Sequence, residues 1–200
     1  LISLLLYKLS VNLCLLLELL IGLLSSVFFV TCRALVKLAF FPVDGEPILE
    51  PYADADYAGC LDTRRSTSGW CIKIGRSFVL WRCKKQDRVS KSSTEAEYRS
   101  MSEATSELVW LRWLLGELGV ECPTPICLFA DNTSAIRIAT NPVLHDHTKH
   151  FEVHMHYIRQ LVEEGVIALS YITSEDQTAD ILTKAVSSTR HWFLAHKLML

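Results

Sequence analysis

No CxxC pair occurs in this chain of 200 residues, although seven cysteines stand at positions 14, 32, 60, 71, 83, 122 and 127. The odd count and scattered spacing argue against a disulfide framework and fit free thiols of a reducing compartment. A surplus of positive charge is also missing: 20 Lys and Arg stand against 22 Asp and Glu. Such a balance excludes a bulk basic protein, so any contact with nucleic acid must come from local patches. Internal repeats are absent, and low complexity is confined to a leucine-rich start.

Charge is scarcest in residues 1–41, which hold only Lys8, Glu18, Arg33 and Lys37. From Val11 to Cys32 a stretch of 22 residues carries Glu18 as its only charge, long enough to cross a bilayer. Lys8 before it and Arg33 and Lys37 after it favour a cytosolic C-terminal side. The run exceeds a signal-peptide core and shows no small-residue cleavage site. The chain begins with leucine, as a fragment would. Two readings follow: a genuine membrane-inserting helix at 11–32, or a non-native or accidental leader. The expected division is a hydrophobic leader at 1–41, a linker at 42–47, a folded domain at 48–186 and an amphipathic tail at 187–200. Without the leader the chain has 17 basic and 21 acidic side chains.

The segment FPVDGEPILEP (41–51) has three prolines and a glycine, the punctuation of a domain entry. Ile48 to Ala58 reads as a strand, followed by a polar turn. Trp70 to Ile74 and Phe78 to Arg82 read as short strands joined at Gly75-Arg76, a hairpin signal. A long helix is expected from Thr94 to Leu118, ending at Gly119. ICLFAD (126–131) reads as a buried strand, and Asn132 or Thr133 caps a short helix to Thr140. His150 to Glu164 is helical, Val166 to Ile172 a strand, and Ser174 can cap a helix through Lys184. Trp192, Phe193, Leu194 and Leu198 mark a final amphipathic stretch. Antiparallel strands first, then alternating helices and strands, give a mixed α/β sheet.

Within SSTEAEYRSM (92–101), Ser92/Glu95 and Thr94/Glu97 both have capping-box spacing, and acids in a first turn also suit the helix dipole. Periodicity separates them. Met101, Ala104, Leu108, Leu111, Leu115 and Leu118 mark one helix face. At roughly 100° per residue, Glu97 lies within about 40° of that stripe's centre, and Glu95 points away. Glu95 reads as a cap. Glu97 starts the packed face, where a carboxylate needs a cation, a proton or several donors.

Other carboxylates could join it. Asp131 ends a buried strand beside a helix start, the edge where α/β folds gather ligands, although an Asx cap would explain it equally simply. Asp54 and Asp56 share one face of a strand rich in small residues; acids are poor strand formers, so the pair marks either an exposed edge or a site. Asp180 lies one turn into a late helix and is unremarkable alone. One glutamate and three aspartates would suit hard divalent cations such as Mg²⁺.

YADADYAG, DTRRSTSGW, KKQDRVSKSSTEAEY, FADNTSAI, HDHTKHFEV and SEDQTADILTK occur in this order. In these motifs residues 48–186 resemble the ribonuclease H domain at the end of copia-type retrotransposon Pol polyproteins. The resemblance implies a ribonuclease H-like fold, a five-stranded mixed sheet flanked by helices. It also implies four acidic ligands for two Mg²⁺ ions, with Mn²⁺ as a substitute: Asp54, Glu97, Asp131 and Asp180. It thereby selects Asp54 over Asp56. Two such ions, about 3.5–4 Å apart, can activate water and stabilise the leaving oxygen in phosphodiester hydrolysis.

The implied substrate is the RNA strand of an RNA–DNA hybrid, read through 2′-hydroxyls and shape. The implied partner is the reverse transcriptase of the same polyprotein, in a cytoplasmic virus-like particle or the nucleus. The tract RCKKQDRVSK supplies Arg82, Lys84, Lys85, Arg88 and Lys91 as expected phosphate contacts, with Arg64 and Arg65 beside them.

Two other readings compete. The histidines His145, His147, His150, His154 and His156 invite a zinc site, with His150 and His154 one helical turn apart, but HExxH is missing. Related chains usually carry an acid at the place of His154. A remnant that binds nucleic acid without cutting it is the stronger rival. Against it, all four expected ligand positions remain acidic.

Overall fold

In a computed structural model, residues 48–75, 77–141 and 152–198 are described. They belong to one compact unit, 44–200. The leader, its candidate membrane helix at 11–32, the linker and three of the clustered histidines lie outside the described residues. No described helix is long and apolar enough to cross a membrane.

Five strands form one sheet: β1 (Leu49–Asp56), β2 (Thr67–Ile74), β3 (Ser77–Lys85), β4 (Ile126–Ala130) and β5 (Ile167–Tyr171). Their order is β3-β2-β1-β4-β5. The hairpin partners β1/β2 and β2/β3 are antiparallel, whereas β1/β4 and β4/β5 are parallel. β1 is therefore the central strand, which removes the exposed-edge explanation for its two aspartates. Short β-branched and aromatic runs build the hairpin, and Gly75 turns it with φ 57°, a conformation that suits glycine.

The helices are α1 (Ser93–Glu117), α2 (Thr133–Thr140), α3 (Glu152–Glu163), α4 (Asp180–Thr183) and α5 (Ser188–Lys197). α1 packs on β1 and β2, with α3 against it. Met101, Ala104, Leu108, Leu111 and Leu115 are buried along α1, as the spacing predicts. Ala53 and Ala55 on β1 are small enough to admit the helix closely, and both are buried.

Two sequence expectations change. β4 is buried only on alternate residues: Ile126, Leu128 and Ala130 are enclosed, but Cys127 is exposed. Its second face is covered incompletely, with Phe129 stacked on Tyr52 at 5.1 Å. The late helix is also shorter than expected. Residues 174–179 form turns, and α4 begins at Asp180 with Ala179 as an N-cap that makes no side-chain bond. Buried Gln177 anchors these turns by donating to Ala53 O at 2.9 Å.

Candidate active site

The C-terminal ends of β1 and β4 lie side by side because the two strands are parallel neighbours. That edge receives Asp54 from β1 and Asp131 from the residue after β4. The N-terminal turn of α1 brings Glu97. One carboxylate oxygen from each of Asp54, Glu97 and Asp131 lies within 4.8 Å of the others. Asp54 and Glu97 are buried, at 0% and 6% exposure, and Asp131 is half-buried.

Local chemistry separates these residues from the neighbours they resemble in sequence. Ser92 caps α1, accepting from Glu95 N at 3.1 Å. Glu95 reaches back to Lys91 N at 2.9 Å and pairs with Arg99 at 2.8 Å. It therefore acts as a cap, although it is buried rather than pointing to solvent. Asn132 caps α2 by accepting from Ala135 N at 2.9 Å, which leaves Asp131 for the cluster. Asp56 accepts from Thr67 N and so closes the β1–β2 pairing.

A buried network fixes the start of α1. Gln86 Nε2 donates to Ser68 Oγ at 3.0 Å and to Ala96 O at 2.9 Å. Ser90 Oγ in turn donates to Gln86 Oε1 at 2.6 Å. These bonds tie the loop after β3 to both β2 and the residue preceding Glu97.

Burial pushes the Glu97 carboxyl up to about 9, reinforced by the charges of Asp54 and Asp131; Lys184 and the Ala55 backbone pull the other way. Its Oε2 has no hydrogen-bond partner. Burial likewise raises Asp54, against the charge of Lys184 and the hydrogen bonds from Thr183 and Lys184. Buried, crowded carboxylates of this kind call for an added cation or proton. Their all-oxygen donor set and the orphaned Glu97 oxygen fit a hard divalent ion.

Asp180 stands apart from the three. It is buried at the start of α4, where Lys184 Nζ contacts Asp180 Oδ1 at 2.7 Å and Asp54 Oδ1 at 2.9 Å. Arg190 holds Asp180 Oδ2, and Thr183 Oγ1 donates to Asp54 Oδ2. Burial opposes the charge on Lys184, but Asp54 and Asp180 outweigh it and raise its pKa. Ser174 is not the helix cap expected from sequence; its hydroxyl donates to Asp131 Oδ2 at 2.8 Å. Lys184, Arg190, Thr183 and Ser174 are thus site residues that the sequence reading missed. Only Lys184 carried a signal, its i,i+4 spacing from Asp180 on a helix.

The expected phosphate contacts divide into two groups. Arg82 lies 3.7 Å from Glu107 of α1, and Lys84 lies 3.5 Å from Asp87. Lys85 follows on β3, opposite Thr67, so it adjoins the β1–β2 turn that holds Arg64 and Arg65. Its ammonium is 3.0 Å from Cys60 Sγ and, with Thr63, pulls that thiol down to about 6. Arg64, Lys85, Arg88 and Lys91 are exposed, and Arg65 is half-buried.

His154 Nδ1 lies 2.9 Å from Ser102 Oγ, and burial lowers its pKa. Among the described residues the one carboxylate, histidine or cysteine group suited to a metal is the acidic trio.

No family model matches the chain. It is 40% identical over 150 residues to the "Retrovirus-related Pol polyprotein from transposon RE1" of Arabidopsis thaliana, covering 75% of this chain and 10% of that protein. A similar Pol polyprotein from transposon TNT 1-94 of Nicotiana tabacum is 37% identical over 141 residues, covering 70% of the chain and again 10% of the relative. The chain therefore spans about a tenth of the length of these curated relatives.

Among solved structures, the N-terminal RNase H domain of rv2228c from Mycobacterium tuberculosis superposes with TM-score 0.53 at 13% identity. That match covers 76% of this chain and 98% of the domain. LC11-RNase H1, isolated from compost by metagenomics, gives 0.52 at 15% identity, with 68% and 93% covered. The chain is a homologue of one segment of plant retrovirus-related Pol polyproteins from transposons, and that segment has the ribonuclease H-like fold.

Proposed function

We propose that the chain is a retrotransposon-type ribonuclease H that hydrolyses the RNA strand of RNA–DNA hybrids. The observation that carries this reading is the convergence of Asp54, Glu97 and Asp131 at one sheet edge, with a buried and unpartnered Glu97 oxygen. The fold and the Pol homology support the same class.

Asp54, Glu97 and Asp131 would hold one divalent ion, and Asp54 with Asp180 a second, Mg²⁺ being the proposed metal. Such ions supply an activated water and charge stabilisation of the leaving oxygen. The chain's own residues do the rest. Asp54 sits between both sets and ties them together. Ser174 orients Asp131, and Thr183 orients Asp54. Exposed Lys85, Arg88 and Arg64, with half-buried Arg65, would supply positive charge for the phosphate backbone.

One related solved structure is described as LC11-RNase H1 in complex with an RNA/DNA hybrid, which supports a hybrid as substrate here. In an intact element the reverse transcriptase of the same polyprotein would supply that hybrid, inside a virus-like particle or in the nucleus. A membrane role would depend on residues 11–32. The assignment to the copia type rests on the motif resemblance.

The test is strand-resolved cleavage by the full chain of three end-labelled duplexes: RNA–DNA, RNA–RNA and DNA–DNA. Cutting confined to the RNA strand of the hybrid supports the reading. Binding without cutting would identify a nucleic-acid-binding remnant, and cutting of DNA–DNA would assign a different nuclease.

A further inference from the structure

The carboxylate oxygens at this edge are not equally engaged. Among the described residues Glu97 Oε2 has no partner, and Asp131 Oδ2 accepts only a hydroxyl from Ser174. By contrast, Asp54 Oδ1 and Asp180 Oδ1 both face the Lys184 ammonium. Asp54 and Asp180 side chains are 0% and 5% exposed, so bulk water cannot solvate them, whereas the Lys184 side chain is 39% exposed.

The structure assigns Lys184 as a resident counter-cation at the Asp54–Asp180 half of the site, displaced when a second divalent ion enters. The assignment rests on the proposed function, because it takes these acids as metal ligands.

Three features make this a built arrangement. Gly69, opposite Asp54 in the β1–β2 register, leaves room for α4 to close on the sheet; a Cβ there would meet Thr183 Cγ2 at 2.4 Å. The backbone of Lys184 is held by its N–H donating to Asp180 O at 2.9 Å. Its ammonium is thus aimed between the two acids while its flexible stem can carry the charge outward to water. Arg190 grips the other Asp180 oxygen, so Asp180 stays in place after Lys184 leaves.

Two buried carboxylates close together repel unless a cation lies between them. Lysine provides one positive charge where a divalent ion would provide two. Among the described residues Lys184 reaches the trio of Asp54, Glu97 and Asp131 only at Asp54, and Glu97 and Asp131 have no ion-pair partner. Sequential metal binding follows: a first ion enters at the trio, and a second competes with a tethered ammonium.

The test counts Mn²⁺ bound to the full chain without nucleic acid, by electron paramagnetic resonance of free Mn²⁺. Wild type, Lys184→Met and Lys184→Gln are compared, with circular dichroism confirming that each is folded. Wild type is expected to bind one ion more tightly than a second. Either substitution should tighten the second by about tenfold or more and change the first far less. Unchanged or weakened second binding in both folded variants would overturn the assignment while leaving the proposed nuclease intact. No Mn²⁺ bound by the wild type would overturn both.

Discussion

Gly69 and Thr183 meet so closely that a Cβ on the glycine would lie 2.4 Å from Thr183 Cγ2. Leu182 Cβ would be 2.9 Å away. The contact lets α4 settle over the pair formed by Gly69 and Asp54 across β1 and β2. Gly69→Ala should push α4 outward and separate Asp180 and Lys184 from Asp54. The expected cost is about 1–3 kcal/mol of stability, read from denaturant unfolding, with a larger loss of hybrid cleavage than the remaining folded fraction accounts for. Unchanged stability and turnover would show that α4 need not sit this closely.

The two glutamates at the head of α1 should separate cleanly. Glu97→Gln is expected to abolish metal-dependent cleavage with the fold retained. Glu95→Gln disturbs the bonds to Lys91 N and Arg99 and should cost about 1–2 kcal/mol while turnover persists. Parallel circular dichroism and cleavage assays check both. Lost turnover in a stable Glu95 variant would mean that the wrong glutamate is assigned.

Glu97 also predicts how stability follows pH. Its carboxyl moves from an ordinary 4.5 to about 9 on folding, so the folded state binds more protons between those values. Stability therefore falls as pH rises through that window. Below about 4.5 this group imposes no such loss, and near 9 the loss is complete. Thermal melts in EDTA at pH 5 to 9 should show the decline, and Glu97→Gln should flatten it. A Glu97→Gln decline as steep as wild type would contradict the assigned environment.

The basic residues are expected to contribute unequally. Arg82 already faces Glu107 at 3.7 Å, so Arg82→Ala should weaken hybrid binding less than Lys85→Ala or Arg88→Ala. Each true phosphate contact removed should lower the slope of log affinity against log salt by about 0.7–0.9. Binding isotherms at several salt concentrations provide the measurement. Slopes unchanged from wild type in all three variants would place the hybrid elsewhere.

Much of this site was legible because regular elements have fixed periods. A 3.6-residue repeat distinguishes Glu97 from Glu95, and the end of β4 beside α2 marks Asp131. A two-residue repeat puts Asp54 and Asp56 on the same face and cannot separate them. Tertiary contacts do that: Asp56 accepts from Thr67 N, whereas Asp54 meets Thr183 and Lys184. Residues 174–179 misled for a similar reason. Ser174 has the chemistry of a helix cap, but its hydroxyl bonds to Asp131, 43 residues away in sequence, and turns replace the expected first helical turn. No local pattern encodes such a partner. The central position of β1 likewise depends on its pairing with β4, which only the folded chain reveals.

The most direct measurement compares wild type with Asp131→Asn on an RNA–DNA hybrid labelled on its RNA strand, with Mg²⁺ and with EDTA. The account predicts cutting by the wild type only with Mg²⁺, and its loss in a folded Asp131→Asn protein. Equal cleavage by the variant, or cutting that persists in EDTA, would contradict a nuclease built on these carboxylates.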